Sequence, residues 1–320
     1  MGLLNKVKSM QKRSILKNKK AIGRKKTPKI IKKENLPNRM LNVKELAKQI
    51  NEEREKIKVS IKNHHKITNP NKKRMNTGIE GLDKLAFEGI PKGSSLLVAG
   101  GAGSGKTILC LQILNNVANK GEKALYISLE ESEERLEEHM EEFGWDVKKL
   151  KRTEKIKIIR IDPFKIARQV EARLAHVKGE LKMNVNEMNG LMPKGFKPQW
   201  VVIDSLTALS AAFEDASTNY RIYIEQLFRY LEKIGVNSLL ISETEQMPTV
   251  YSKTGVEEFL ADGVLVLYNL RHENIRENAI EILKLRGVAH EKKIVAMEIN
   301  RRGIEIYPEQ EIFSELKKNE

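Results

Sequence analysis

From about residue 95 onward, short apolar runs alternate with stretches whose apolar positions recur at helical spacing. Ser95-Leu96-Leu97-Val98-Ala99 is a continuous apolar run, the pattern of a buried strand. Ile108, Leu111, Leu114 and Val117 follow at intervals of three, with Leu109 and Ile113 four apart beside them, which predicts a helix. A second strand is predicted over Ala124-Leu125-Tyr126-Ile127-Ser128-Leu129, an acidic helix over about 132–142, a third strand over 156–161 and a helix over about 164–181. Residues 182–199 read as a connecting loop. Trp200-Val201-Val202-Ile203-Asp204-Ser205 is an apolar strand ending in an acid, followed by a helix over 219–234 and a strand over 238–242. The pattern then changes: 263–270, 279–285, 293–299 and 303–307 read as four successive strands. Strands alternating with helices, then a strand-rich end, predict an α/β fold with a mostly parallel, twisted sheet and antiparallel C-terminal strands.

Ahead of this region the chain has a different character. Leu46, Ile50, Ile57 and Ile61 sit at spacings of four and seven, with Glu53 interrupting the stripe. A helix over 41–63 is expected, too short and broken in its seam for a coiled coil. Asn69-Pro70-Asn71 reads as a linker turn. The expected organisation is a basic, flexible arm (1–40), a helical segment and linker (41–76), a folded domain (77–308) and a C-terminal tail (309–320).

The net charge of +15 is unevenly placed. Residues 1–76 carry 24 Lys and Arg against 5 Asp and Glu, a net +19, and the remaining 244 residues are at −4. Clustered like charges with few aromatics suit a solvated tail, and equally a nucleic acid or an anionic surface bound by residues 1–40. The single cysteine, Cys110, excludes an internal disulfide and sits among apolar helix positions as a core thiol. No apolar run approaches the ~18 residues of a membrane span. The N-terminus lacks the apolar core of a signal peptide, so a cytoplasmic location is expected.

Between the first strand and its helix lies Gly100-Gly101-Ala102-Gly103-Ser104-Gly105-Lys106-Thr107, a complete G-x-x-x-x-G-K-[ST] phosphate-binding loop in the strand–loop–helix setting that the motif requires. Glycines let main-chain N–H groups approach an anion, and the helix start aims its positive dipole end at the phosphates. Lys106 is expected to reach the β- and γ-phosphates of ATP, and Thr107 to ligate Mg²⁺. Ligands of open α/β sheets bind where strands end, and Glu130, Glu131 and Asp204 all stand at predicted strand ends. Asp204 has the setting of a second Mg²⁺ ligand. Glu130 or Glu131 suits the orientation or deprotonation of the attacking water, although acids there also stabilise the first turn of a helix. No metal-binding cysteine cluster or nucleophilic triad is visible.

Six segments in order resemble the KaiC family of RecA-like ATPases. They are Thr77-Gly78-Ile79-Glu80-Gly81-Leu82-Asp83, the phosphate loop, Ser128-Leu129-Glu130-Glu131-Ser132, Val202-Ile203-Asp204-Ser205-Leu206-Thr207, Gly255-Val256-Glu257-Glu258-Phe259 and Ile282-Leu283-Lys284-Leu285-Arg286-Gly287. The resemblance covers residues 77 to about 307. It implies a RecA-like fold, assembly into a homo-oligomeric ring, usually a hexamer, and ATP held between subunits. It also implies hydrolysis supported by Glu130 and Glu131, with Lys284, Arg286 and His290 reaching the neighbour's phosphates. The family's two-domain members carry a phosphorylatable Ser-Thr pair in their second domain. The matching stretch here is Glu257-Glu258, which implies an ATPase rather than an autokinase, with Ser252 and Thr254 nearby.

The expected function is therefore a ring-forming, Mg²⁺-dependent ATPase driving a conformational or assembly change, with any protein partner unidentified. Two other readings stand beside it. One is a RadA-like, DNA-binding recombination or repair ATPase using the basic arm. The other is a nucleotide-gated scaffold with little turnover.

Overall fold

The computed structural model describes residues 73–176, 191–214, 218–272 and 275–312. The basic arm, the predicted helix over 41–63 and the turn at 69–71 lie outside them. So do the predicted end of the helix beyond 176, the first half of the 182–199 loop and residues 313–320.

A two-stranded ribbon opens the described chain. β1 (Arg74–Met75) pairs antiparallel with β2 (Ile90–Pro91). Between them lies α1 (Glu80–Leu85), which buries Leu82 and Leu85. Asp83 fixes its entry by accepting from Thr77 N and Oγ1 at 2.9 Å each and from Gly78 N at 3.1 Å.

The main body is a nine-stranded sheet among the described residues. It is assembled from β3 (Ser95–Gly100), α2 (Lys106–Asn119), β4 (Ala124–Ser128), α3 (Glu133–Glu142), α4 (Val147–Arg152), β5 (Ile156–Arg160) and α5 (Pro163–His176). The chain continues through β6 (Trp200–Asp204), α6 (Leu206–Ala212), α7 (Asn219–Ile234), β7 (Asn237–Glu243) and α8 (Glu257–Leu260). It ends with β8 (Gly263–His272), β9 (Ile275–Leu285), β10 (Val295–Asn300) and β11 (Gly303–Glu311). The strand order is β11-β10-β9-β8-β3-β7-β6-β4-β5. Strands β3 to β8 run parallel, and β9, β10 and β11 add on antiparallel, as the strand-rich C-terminus predicts.

Side-chain alternation along each strand divides the core between the two faces. Leu96, Val98, Tyr126, Trp200 and Val202 face a cluster that includes Leu109, Ile113 and Leu114 of α2. Leu97, Leu125, Ile127, Val201 and Ile203 face the other, with Val170, Leu209, Ile224 and Leu227. Both faces of the parallel strands are covered, so β3 is buried along its whole length and reads as a continuous apolar run.

The structure adds short elements that periodicity did not reveal: β1, β2, α1, α4, α6 and α8. Helices of four to seven residues show too little of a 3.6-residue repeat to register. Two of them, α4 and α6, nonetheless carry a capping side chain. Asp146 accepts from Lys149 N at 2.9 Å, and Ser205 accepts from Ala208 N at 3.1 Å. β1 begins ahead of Thr77, and β11 runs to Glu311, pairing with β10 across a bulge.

The terminal hairpin folds back over the helix of the glycine loop. Gln112 of α2 accepts from Ile304 N and donates to Ile304 O at 3.0 Å. α1 closes on the same strand, where a Cβ at Gly81 would lie 2.2 Å from Ile306 O. Gly81→Ala is therefore expected to force α1 off β11 and to lower stability by about 1–3 kcal/mol, read as a lower denaturation midpoint in urea with an unchanged slope.

Candidate functional site

The four strand ends that carry the chemistry meet because their registers align. Gly100 pairs with Glu243 and Ser128 with Asp204, so the ends of β3, β7, β4 and β6 share one edge of the sheet. A cleft of about 520 Å³ opens there. Its walls include Ala102, Gly103, Gly105, Lys106, Thr107, Glu130, Glu131 and Asp204. The glycine loop and all three acids expected at strand ends thus come together.

The loop is shaped as an anion cradle. Gly103 and Gly105 have φ of 74° and 94°, which L side chains rarely adopt, and Gly105 caps α2 from that conformation. A Cβ at Gly100 would lie 2.5 Å from Leu267 O, and one at Gly101 would strike the Gln246 amide at 2.8 Å. Only glycine lets the main chain lie this close. Lys106 donates from Nζ to Gly101 O at 3.0 Å, across the mouth of its own loop. Burial lowers the pKa of this ammonium, and Glu243, Asp204 and Glu130 act in the opposite sense.

Asp204 is the most constrained acid of the site. Its Oδ2 accepts from Tyr126 OH at 2.5 Å and from Thr107 Oγ1 at 3.1 Å. Burial raises its pKa to about 6; the Tyr126 and Thr107 hydrogen bonds pull the other way and Glu130 adds to the rise. Burial and the adjacent Asp204 push the Tyr126 phenol well above its ordinary value, so it remains a donor. Thr107 and Asp204 are hard oxygen donors within one hydrogen bond of each other, the kind of set that holds Mg²⁺ beside a nucleotide's own phosphates. Among the described residues no group of three or more His, Cys, Asp and Glu is placed to hold a metal. A two-donor set fits Mg²⁺, which keeps several waters and uses one or two protein carboxylates.

The paired glutamates sit on a pinned turn. Ser128 Oγ donates to Glu131 O at 2.7 Å and accepts from Glu130 N at 3.3 Å. Leu129 N donates to Asp204 O at 2.6 Å. Ser205 Oγ donates to Glu130 Oε1. Glu131 Oε2 lies 3.1 Å from Arg135 Nε. Glu130 is thereby held by the residue that follows Asp204, and Glu131 by the helix it precedes.

Lys284, Arg286 and His290 do not join this cleft in their own chain. β9 runs back along β8, with Lys284 opposite Val264, near the start of the parallel strands, while Gly100 pairs with Leu267. Lys284 Nζ donates to Glu258 O at 2.9 Å and Ala261 O at 2.7 Å. Arg286 donates to Phe259 O at 3.0 Å and lies 3.6 Å from Asp262. The two cations thus share one anchor, the chain around α8. Burial lowers the pKa of both Lys284 and His290.

Several residues in and around the cleft escaped sequence reasoning. Tyr126 looked like one more strand residue. Glu243 ends β7 just as Asp204 ends β6, and that strand-end position was a usable signal. Gln246 donates to Ala102 O at 3.1 Å, and Phe143 and Ile299 form an apolar wall. These last three arrive from distant segments and left no local pattern.

With this geometry in view, comparison with known proteins is decisive. A family model described as the KaiC ATPase matches residues 75–311. The chain belongs to the KaiC ATPase family. Its fold is accordingly that of an ATP-binding, RecA-like ATPase. The circadian clock oscillator protein KaiC of Synechococcus elongatus is 31% identical over 236 residues, 73% of this chain and 44% of that protein. The circadian clock protein KaiC3 of a Synechocystis species is 32% identical over 250 residues, 77% of this chain and 48% of that protein. The chain thus spans a little under half the length of these KaiC relatives. Among solved structures, a KaiC-like protein from the hyperthermophilic archaeon Pyrococcus horikoshii is similar with a TM-score of 0.60 at 29% identity. That likeness covers 74% of this chain and all of the archaeal one. No helix among the described residues is long and apolar enough to cross a membrane.

The buried carboxyl of Asp204 has a measurable consequence. With its pKa raised from 3.8 to about 6, the folded chain binds more protons than the unfolded chain between those values. Stability is lost as pH rises from about 4 through 6 and is not regained above it. Asp204→Asn, which keeps the shape and removes the charge, is expected to stabilise the nucleotide-free protein at pH 8 by about 1–3 kcal/mol. The gain should vanish at pH 4. Thermal melts at the two pH values check this.

Proposed function

We propose that this chain is an Mg²⁺-dependent ATPase whose catalytic unit is completed by a second copy in a hexameric ring. One observation carries the reading. The cleft lines five carboxyl groups (Glu130, Glu131, Glu142, Asp204 and Glu243) against two basic side chains, Lys106 and His139. A polyanion can settle there only with further positive charge. Two sources fit: a divalent cation at Thr107 and Asp204, and cations delivered by another subunit.

In this mechanism the loop amides and Lys106 bind the phosphates, and the wall of Phe143 and Ile299 receives the base. Thr107 and Asp204 would hold Mg²⁺, which would supply positive charge to offset that developing on the leaving diphosphate. Glu130 or Glu131 orients a water in line with the γ-phosphorus and takes its proton as the new P–O bond forms and the bond to the diphosphate breaks. Their pinned turn supplies the positioning that phosphoryl transfer depends on.

Lys284, Arg286 and His290 serve the neighbour's site. Lys284 and Arg286 lie at the opposite end of the sheet from their own loop, so one subunit presents these cations where the next presents its cleft. Phe259, 74% exposed, projects from α8 beside them, and Met247 and Val250 are each more than half exposed on the segment before it. Exposed apolar side chains beside tethered cations suit a face that another copy covers. Autophosphorylation is disfavoured, because Ser252 donates to Glu258 and Thr254 to Glu257, at 2.5 and 2.7 Å.

The charge of residues 1–76 supports a further reading in which the arm binds nucleic acid. Binding to DNA that falls steeply with salt, and is lost when the chain starts at Thr77, would support it. Measured turnover alongside oligomer mass separates an ATPase from a nucleotide-gated scaffold.

Lys106→Ala is expected to weaken ATP binding by about two orders of magnitude in a direct titration, since a charge-assisted contact to phosphate is lost. Glu130→Gln combined with Glu131→Gln should retain binding and lower turnover by roughly 10²–10⁴-fold; normal turnover would remove both from the mechanism. Arg286→Ala is tested by mixing. Inactive Arg286→Ala and inactive Lys106→Ala subunits should recover activity together if the arginine acts in trans, and no recovery would place it elsewhere.

A further inference from the structure

We propose that Tyr126 is a positioning residue for the magnesium-binding acid: its hydroxyl anchors Oδ2 of Asp204 from the core side and thereby fixes the carboxylate against Thr107, the other proposed ligand. The inference rests on the magnesium assignment proposed above and adds to it a residue from inside the core.

Sheet register brings the two together. Tyr126 pairs with Val202, and Ser128 with Asp204, so Tyr126 stands one pleat short of the acid on the adjacent strand. Residues two apart on a strand share a face, and here that face packs against α2. A tyrosine side chain directed along the strand spans this offset, and its OH reaches Asp204 Oδ2 at 2.5 Å. The ring is fully buried in the cluster that includes Leu109, Ile113 and Trp200.

Packing accounts for the ring and leaves the hydroxyl to be explained. Phenylalanine would fill the same space, and a buried hydroxyl costs stability unless it finds a partner. This one finds the acid of the cleft. The other donor to the same oxygen, Thr107 Oγ1 at 3.1 Å, belongs to the proposed ligand set. Tyr126 therefore stands behind the site, and it holds the carboxylate rotamer from the core side. Outer partners of this kind set the orientation and affinity of metal ligands, and their loss weakens metal binding about 10–100-fold.

The test is Tyr126→Phe in the full chain, which removes one oxygen. Mg²⁺ is titrated at a fixed concentration of a fluorescent ATP analogue, with binding in EDTA and the nucleotide-free melt measured beside it. The expected result is a half-saturating Mg²⁺ concentration raised about tenfold or more, with analogue binding in EDTA unchanged. Turnover should approach the wild-type value at saturating Mg²⁺. A folded variant whose Mg²⁺ midpoint stays within about twofold of wild type overturns the proposal and leaves the hydroxyl a packing feature. A lowered maximal turnover with an unmoved midpoint overturns it as well. A double-mutant cycle with Asp204→Asn supplies the second measurement. If Tyr126 acts through Asp204, removing its hydroxyl from the Asp204→Asn protein shifts the Mg²⁺ midpoint no further, and independent, additive shifts refute it. Wild-type protein that binds the analogue without regard to Mg²⁺ would instead refute the magnesium assignment itself. That outcome is distinct from a Mg²⁺-dependent wild type with an unmoved variant.

Discussion

A buried carboxylate is the feature around which this molecule is tuned. Asp204 lies where β6 ends, with two hydroxyl donors on one of its oxygens and a lysine within electrostatic reach. The hydrogen bonds from Tyr126 and Thr107 tie β4, β6 and α2 at a single atom. Burial nonetheless dominates and disfavours the ionised form. The site is therefore held in a state that the isolated fold does not prefer and that a cation would relieve. Strain of this electrostatic kind is expected where function and stability conflict.

The same tension extends over the whole cleft. Acids crowd the ends of the parallel strands, and Lys106 is their counterweight within the chain. Three of those acids pull against the burial of the lysine and favour its charged form. The glycine loop contributes partial positive charge from main-chain amides and the start of α2, which does not titrate and adds no bulk. A nucleotide entering with a cation completes the balance.

One stretch of chain joins this cleft to the far end of the sheet. It leaves β7 at Glu243, passes Gln246 against the glycine loop and reaches α8. There Glu257 is fully buried and accepts from Tyr220 OH, Thr254 Oγ1 and Val256 N, which fastens α8 to α7. The carbonyls of Glu258, Phe259 and Ala261 then hold Lys284 and Arg286. Carbonyls orient both cations, and Asp262 lies 3.6 Å from Arg286 beside them. The segment that contacts one end of the sheet thus positions cations at the other, by continuous packing and hydrogen bonds.

The residue pattern alone determined the α/β class, the alternation of strands and helices, the antiparallel C-terminal strands and the phosphate loop. The reason is that strand periodicity, helical spacing and the glycine motif are local and repeat over enough residues to be read. It also placed Asp204 and the paired glutamates at strand ends, because a buried apolar run that stops at an acid carries its own punctuation. Tertiary structure alone decided strand order and register, and with them the meeting of Gly100, Ser128, Asp204 and Glu243 at one edge. It alone brought Tyr126 to Asp204, Ile299 to the cleft and Lys284 with Arg286 to α8. Such contacts join residues more than twenty positions apart, and pairing between distant strands leaves no period in either segment.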